Sequence, residues 1–177
     1  MNVAVRNAND GISLAQTAEG ALGKVSDSLQ RMRELAVQAR NATNSPQDKD
    51  SLDKEFAELA KEIQRVLGAT TFNGKPILAS QAGTQTFQVG ANTTANDSID
   101  IITTNMTTAP AITSVAGTNN SGLGRASIGS AATNSQIAGV IDSIDRAIDL
   151  VNSERATLGA SQNRSEEHTS ELQSPMY

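Results

Sequence analysis

The sequence predicts a mainly α protein, a long antiparallel helical bundle with a small β-hairpin subregion. Three observations predict it. Long stretches near the start and the end carry apolar residues in steps of three and four, the period of a helix with one buried face. Between them the period switches to two around an Asn-Gly pair, which is a hairpin signal. Aromatics make up 2% of the 177 residues and cysteine is absent, so the core must be built from Leu, Ile, Val and Ala. Those side chains suit helices packed side by side.

The first helix runs from Val5 to about Ala39, with a seam of Val5, Ala8, Ile12, Ala15, Ala18, Leu22, Val25, Leu29, Met32, Ala36 and Ala39. Spacing near ~3.5 keeps this seam on one side, and its Ala positions let a neighbour approach closely. Gly11, Gly20 and Gly23 weaken the N-terminal half by roughly 1 kcal/mol each relative to Ala. Asn41 to Gln47 breaks the pattern. Ser45 then reads as an N-cap, with Pro46 at the first helical position and Asp48 near the positive end. Leu52, Phe56, Leu59, Ile63 and Val66 form the second seam, and Gly68 is placed as its C-cap. A short connection makes these two helices antiparallel.

Thr70-Thr71-Phe72 and Lys75-Pro76-Ile77-Leu78 read as short strands around Asn73-Gly74. Pro76 restricts the second to an edge. Thr84 to Val89 alternates, as do Ile99 and Ile101 with acids, which places more β structure up to about Thr103. Residues Thr104 to Ala132, rich in Thr, Ser, Asn, Ala and Gly, read as an irregular surface excursion. The third helix opens after Thr133-Asn134-Ser135, and its face carries Ile137, Ile141, Ile144, Ile148, Val151 and Leu158, interrupted at Arg155. It is expected to pack on the first two. Beyond Leu158 the register calls Gln162, Ser165, Thr169 and Leu172 inward, so the stripe fails near Arg164.

The formal charge of -5 and the scattered Lys and Arg argue against nucleic acid as a partner. No window is apolar enough for a membrane span, and Met-Asn-Val-Ala-Val-Arg at the start lacks a signal-peptide pattern. His168, the lone histidine, has no bracketing partner for acid-base work or metal binding. Asp142, Asp145 and Asp149 share one side of the third helix, as a solvated face opposite the Ile stripe does. Gly122-Leu123-Gly124 begins like a dinucleotide loop, but Ser127 stands where the third Gly belongs, so it reads as a flexible loop. Asn41, Asn92, Asn96 and Asn105 open glycosylation triplets of the kind that an Asn- and Thr-rich chain produces by chance. No nucleophile, base and orienter set is present, so no enzyme is expected. The pattern fits equally a bundle that associates with copies and one that stands alone.

Asn7-Ala-Asn-Asp-Gly-Ile-Ser-Leu-Ala-Gln-Thr-Ala-Glu-Gly-Ala-Leu22 and Leu29-Gln-Arg-Met-Arg-Glu-Leu-Ala-Val-Gln38 closely resemble the inner domain of bacterial flagellins. Thr71-Phe-Asn-Gly74 and Asn152-Ser-Glu-Arg-Ala-Thr-Leu-Gly-Ala-Ser-Gln-Asn-Arg164 match the same family in the same order. The resemblance implies that 1–103 is the N-terminal part of the inner domain, 104–132 a short variable loop region and 133–164 the C-terminal inner-domain helix. The family's outermost helices, which form the inner tube of the filament, lie outside this span, so the chain reads as an incomplete member. Ser165 to Tyr177 looks like the translation of a common short-read sequencing adapter, an artefactual tail outside the fold.

The resemblance further implies a self-assembling filament subunit for motility, exported without a cleavable signal peptide, extracellular, and needing no cofactor. The alternative is a flagellin-like hook-filament junction protein. The implied partners are other flagellin subunits and an innate immune receptor of the Toll-like family. The receptor surface maps onto Arg31, Leu35 and Glu55, with Gln30 and Glu34 beside them. Arg31 and Leu35 fall off the centre line of the first seam, so both are expected to be accessible; the alternatives are an Arg31–Glu34 pair and a Leu35 that packs within the bundle.

Overall fold

The computed structural model describes residues 2–90, 92, 94 and 97–173. Helix α1 spans Asn2–Ala39, α2 Pro46–Ala69, α3 Pro110–Ala116 and α4 Asn134–Gln173, with strands β1 Thr71–Phe72, β2 Lys75–Pro76, β3 Thr84–Gln88 and β4 Ser98–Ile102. The result is the mainly α, antiparallel bundle that the periodicity predicts, with two small hairpins.

Helix α1 is the axis, with α2 on one flank and α4 on the other. Arg31 pairs with Glu55 across the first seam, and Arg33 with Asp145 across the second. Both neighbours run antiparallel to α1. Because α1 is covered on two sides, its apolar stripe is wider than one seam. Leu14, Ala21 and Leu35, each seven or fourteen residues from the next, are buried together with the predicted positions from Ala8 to Ala39 other than Ile12, while Ile12 and Val5 are only partly buried. Helix α4 does not rest on α2 as expected. Its extensive helix contacts are with α1 and α3, and α3 fills the space between α2 and α4.

Local chemistry sets several of the element boundaries. Ser45 caps α2: its hydroxyl accepts from the Asp48 amide while the Asp48 carboxylate accepts from the Ser45 amide. The predicted stop at Gly68 is wrong by two residues. Gly68 stays helical, and Thr70 ends the helix by donating both its N–H and its hydroxyl to the Val66 carbonyl. Asn73 (φ 49°) and Gly74 (φ 76°) close the β1–β2 hairpin, and Ile77 and Leu78 beyond it turn into the core. Strand β3 pairs antiparallel with β4, Phe87 opposite Ile99. This hairpin lies on α1 so closely that a Cβ at Gly11 would meet Ile101 Cδ1 at 3.1 Å and Phe87 Cδ2 at 3.3 Å. Gly11 is therefore a helix-sheet contact.

The 104–132 segment is not simply an irregular surface excursion. Pro110 opens α3, whose Ile112, Val115 and Ala116 are buried, along with Met106 before it and Ile128 after it. Seven residues are too few for helical periodicity to register in the sequence. Thr133 and Gln136 form a reciprocal cap at the start of α4. The helix continues past Arg164 to Gln173, and Ser165 is buried with its hydroxyl donating to the Ser161 carbonyl. The side chain of His168, Asn96 and residues 174–177 lie outside the described residues.

Candidate protein-interaction face

On the C-terminal half of α1, residues at i, i+3 and i+4 stack along the helix, and α2 lies beside them. Arg31 sits at that boundary. Its Nε donates to Glu55 Oε1 on α2 at 2.8 Å and its Nη1 to Glu34 Oε2 one turn on at 2.9 Å. All three side chains are about half exposed or more. The Glu55 hydrogen bond, followed by that to Glu34, raises the Arg31 pKa, so the guanidinium stays cationic. Gln30 is exposed beside it. The arrangement holds a planar donor fork between two carboxylates across two helices.

Leu35 is not part of that exposed surface. It is 0% exposed, on the flank of α1 that carries Arg31 one turn earlier. The expectation of accessibility treated α1 as packed on one side only, and α2 covers the other flank. Leu35 thus lies beneath the face and holds its backbone.

A second constellation escaped the sequence reading. Asp53 on α2 receives both terminal nitrogens of Arg125, at 3.1 and 2.7 Å, the Ser127 hydroxyl at 3.0 Å and the Ile128 amide at 2.8 Å. Asp50, one turn earlier, accepts from the Ser130 amide at 2.8 Å. Burial pushes the Asp53 carboxyl up, yet these donors together hold it below its ordinary value. The cluster fastens the chain between α3 and α4 onto α2. Buried Gln64 ties α2 to the end of α3 by donating to the Gly117 carbonyl at 2.6 Å. Nothing in the local pattern links Asp53 to an arginine 72 positions away.

Of the carboxylates on α4, Asp145 bonds Arg33 at 2.7 Å, while Asp142 and Asp149 are exposed. Gly122 and Gly124 adopt positive φ in a turn whose Leu123 is exposed. Asn41 and Asn105 use their side-chain oxygens locally, accepting from the Thr43 amide and the Thr107 hydroxyl. Two open clefts, of about 540 and 520 Å³, flank the C-terminal turn of α2; both are lined by Arg65, small residues and amide or hydroxyl side chains, and the second also by Lys24.

The fold defines a mainly α protein, a bundle of long antiparallel helices with two small hairpins. The family model for the bacterial flagellin N-terminal helical region matches residues 1–86. The chain is 52% identical to the B-type flagellin of Pseudomonas aeruginosa over 101 residues, which is 57% of this chain and 20% of that one. It is 42% identical to a flagellin of Halalkalibacterium halodurans over 169 residues, 96% of this chain and 57% of the relative. Among solved structures, Bacillus cereus flagellin superposes with a TM-score of 0.76 at 31% identity, covering 96% of this chain and 90% of that one. The chain therefore belongs to the bacterial flagellin family. It spans about a fifth of the length of the first relatives it matches.

Proposed function

We propose that the chain acts as a structural subunit of the bacterial flagellar filament, outside the cell, assembling with other flagellin subunits and catalysing no reaction. The observation that carries this reading is the match in sequence and architecture along nearly the whole Bacillus cereus flagellin structure. Its physical support is a bundle whose long helices leave polar flanks for neighbouring copies. Immunogold labelling of the source bacterium with an antibody to this chain tests it. Label along the filament shaft is expected. Label confined to the hook-filament boundary would assign the chain to the junction instead, and unlabelled filaments would reject both.

The same reading extends to recognition by an innate immune receptor of the Toll-like family through Gln30, Arg31, Glu34 and Glu55, with Leu35 supporting them from within. Exposure of these four side chains and the two ion pairs that pre-order Arg31 support it. Arg is a frequent interface anchor, and an ordered one loses less entropy on binding.

A further inference from the structure

Asn73 and Gly74 are both exposed and make up the whole loop between β1 and β2. Their positive φ angles, 49° and 76°, are those of the mirror-image type I turn. In that turn the first central residue has ψ of roughly +30°. An Asn followed by Gly is also the pair least shielded against attack of the following backbone nitrogen on the Asn side chain, because Gly carries no Cβ.

In that reaction the Gly74 nitrogen bonds to Asn73 Cγ, its proton passes to Nδ2, and the Cγ–Nδ2 bond breaks with release of ammonia. Solvent water then opens the five-membered imide at either carbonyl, leaving aspartate or isoaspartate at 73. No oxidant or reductant is involved. Ring closure requires the Gly74 nitrogen to eclipse Cβ about the Cα–C bond of Asn73. In the hairpin turn it lies nearly opposite Cβ, so the folded loop withholds its nucleophile.

We propose that Asn73 is a conformation-gated deamidation site, closed while the β1–β2 hairpin is formed and open whenever that hairpin comes apart. The gate is slender. Each strand has two residues, Pro76 has no N–H to give, and the closing bond beyond the strands runs from the Ile77 amide to the Thr70 carbonyl at 3.1 Å. The two products differ in consequence. Asp-Gly favours the same turn, so aspartate leaves the hairpin intact. Isoaspartate routes the chain through Cβ and lengthens a two-residue loop by one backbone atom, which disrupts the register Phe72–Lys75 and pulls on buried Ile77 and Leu78. An episode of unfolding would thus leave a mark that refolding does not erase.

The test incubates the full chain at mildly alkaline pH, in buffer and in concentrated urea. Peptide mass mapping follows the one-dalton gain at Asn73, and enzymatic methyl labelling scores isoaspartate. Because the folded rate is scaled by the opening equilibrium of the hairpin, the urea sample should react at least about tenfold faster. In urea, Asn73 should also outpace Asn44 and Asn120, which are followed by Ser. Asn73→Asp should melt with the parent, whereas the refolded isoaspartate fraction should melt lower. Equal rates in buffer and urea, Asn73 lagging behind the Asn-Ser sites in urea, or an isoaspartate fraction that melts like the parent would each overturn the proposal.

Discussion

Leu35 and Arg31 are one helical turn apart and should fail in opposite ways. Leu35→Ala empties a site that is 0% exposed. Such truncations cost about 2–5 kcal/mol, more where the surroundings cannot collapse. Leu35 is among the largest fully buried side chains, which places the cost in the upper part, about 3–5 kcal/mol. For a chain of this length each kcal/mol lowers Tm by about 2–4 °C, so a drop of roughly 6–20 °C follows. Arg31→Ala removes exposed ion pairs that salt screens and that contribute little to folding, so its melting curve should overlay the parent. Circular dichroism melts check the folding side. Titration against the receptor ectodomain, at a temperature where both variants are folded, checks the binding side. There Arg31→Ala should bind several-fold more weakly and Leu35→Ala close to normally. A parental Tm for Leu35→Ala would refute the buried packing, and parental affinity for folded Arg31→Ala would remove it from the receptor surface.

Asp53→Asn should cost about 1–3 kcal/mol, because Arg125, Ser127 and the Ile128 amide lose the anion that satisfies them. The folded Asp53 pKa lies below the ordinary 3.8, so this stabilisation is complete above that value and disappears as pH falls through the lower folded one. Urea midpoints measured from neutral to acid pH should show the gap between parent and variant narrowing below about pH 4, and a constant gap would refute the anionic role. Ile144→Ala, at a fully buried position facing α1, should cost about 2–5 kcal/mol by the same urea assay. Deleting Glu166–Tyr177, which leaves buried Ser165 in place, should change stability by less than about 1 kcal/mol, since Glu166, Glu167 and Ser170 are exposed. A large loss of helix signal on deletion would show that the tail holds the bundle.

What the sequence made legible was local. The Ser45 cap needs only Asp48, and the Asn-Gly turn needs only its two flanks, so both appear in the chain order itself. The seams of α1 and α4 were largely readable because a repeat over many turns averages out single exceptions, whereas on α2 the buried line runs through Phe56, Ala60, Ile63 and Leu67, with the predicted Leu52, Leu59 and Val66 only partly buried. What stayed hidden depends on how many neighbours an element has or on partners far along the chain. Leu35 looks like a flank residue until α2 is placed beside it. Gly11 looks like a weak point of a helix until Ile101 and Phe87 arrive within about 3.3 Å of where its Cβ would stand. Asp53 and Arg125 look like two ordinary surface charges, since nothing local relates them.

Arg155 shows how far a single disagreement with the pattern can be followed. It stands where the α4 stripe asks for an apolar residue, its Nε is buried without a hydrogen-bond partner among the described residues, and its Nη2 lies 3.7 Å from Glu19 on α1. Gln162 donates to the other oxygen of Glu19 at 3.2 Å. Taken alone, this polar group weakens a seam that Leu or Met would fill at lower cost. Its value is in what it forbids. Apart from this cluster and the half-exposed Arg33–Asp145 pair, the α1–α4 seam is built mainly of Ala, Leu, Ile and Val at near-heptad spacing, and such a seam can slip by one repeat with little change in apolar burial. In a slipped register Glu19 would face apolar side chains, and Arg155 and Gln162 would lose their acceptor. Because α2, the second hairpin and the Arg31 face are all mounted on α1, fixing α1 against α4 fixes the rest. Glu19→Leu combined with Arg155→Leu should therefore keep or raise the melting temperature while blurring the register. Cysteine pairs placed at positions 33 and 145 and at positions offset by seven should then cross-link comparably. Cross-linking restricted to 33 and 145 in that variant would show that the apolar seam alone sets the register.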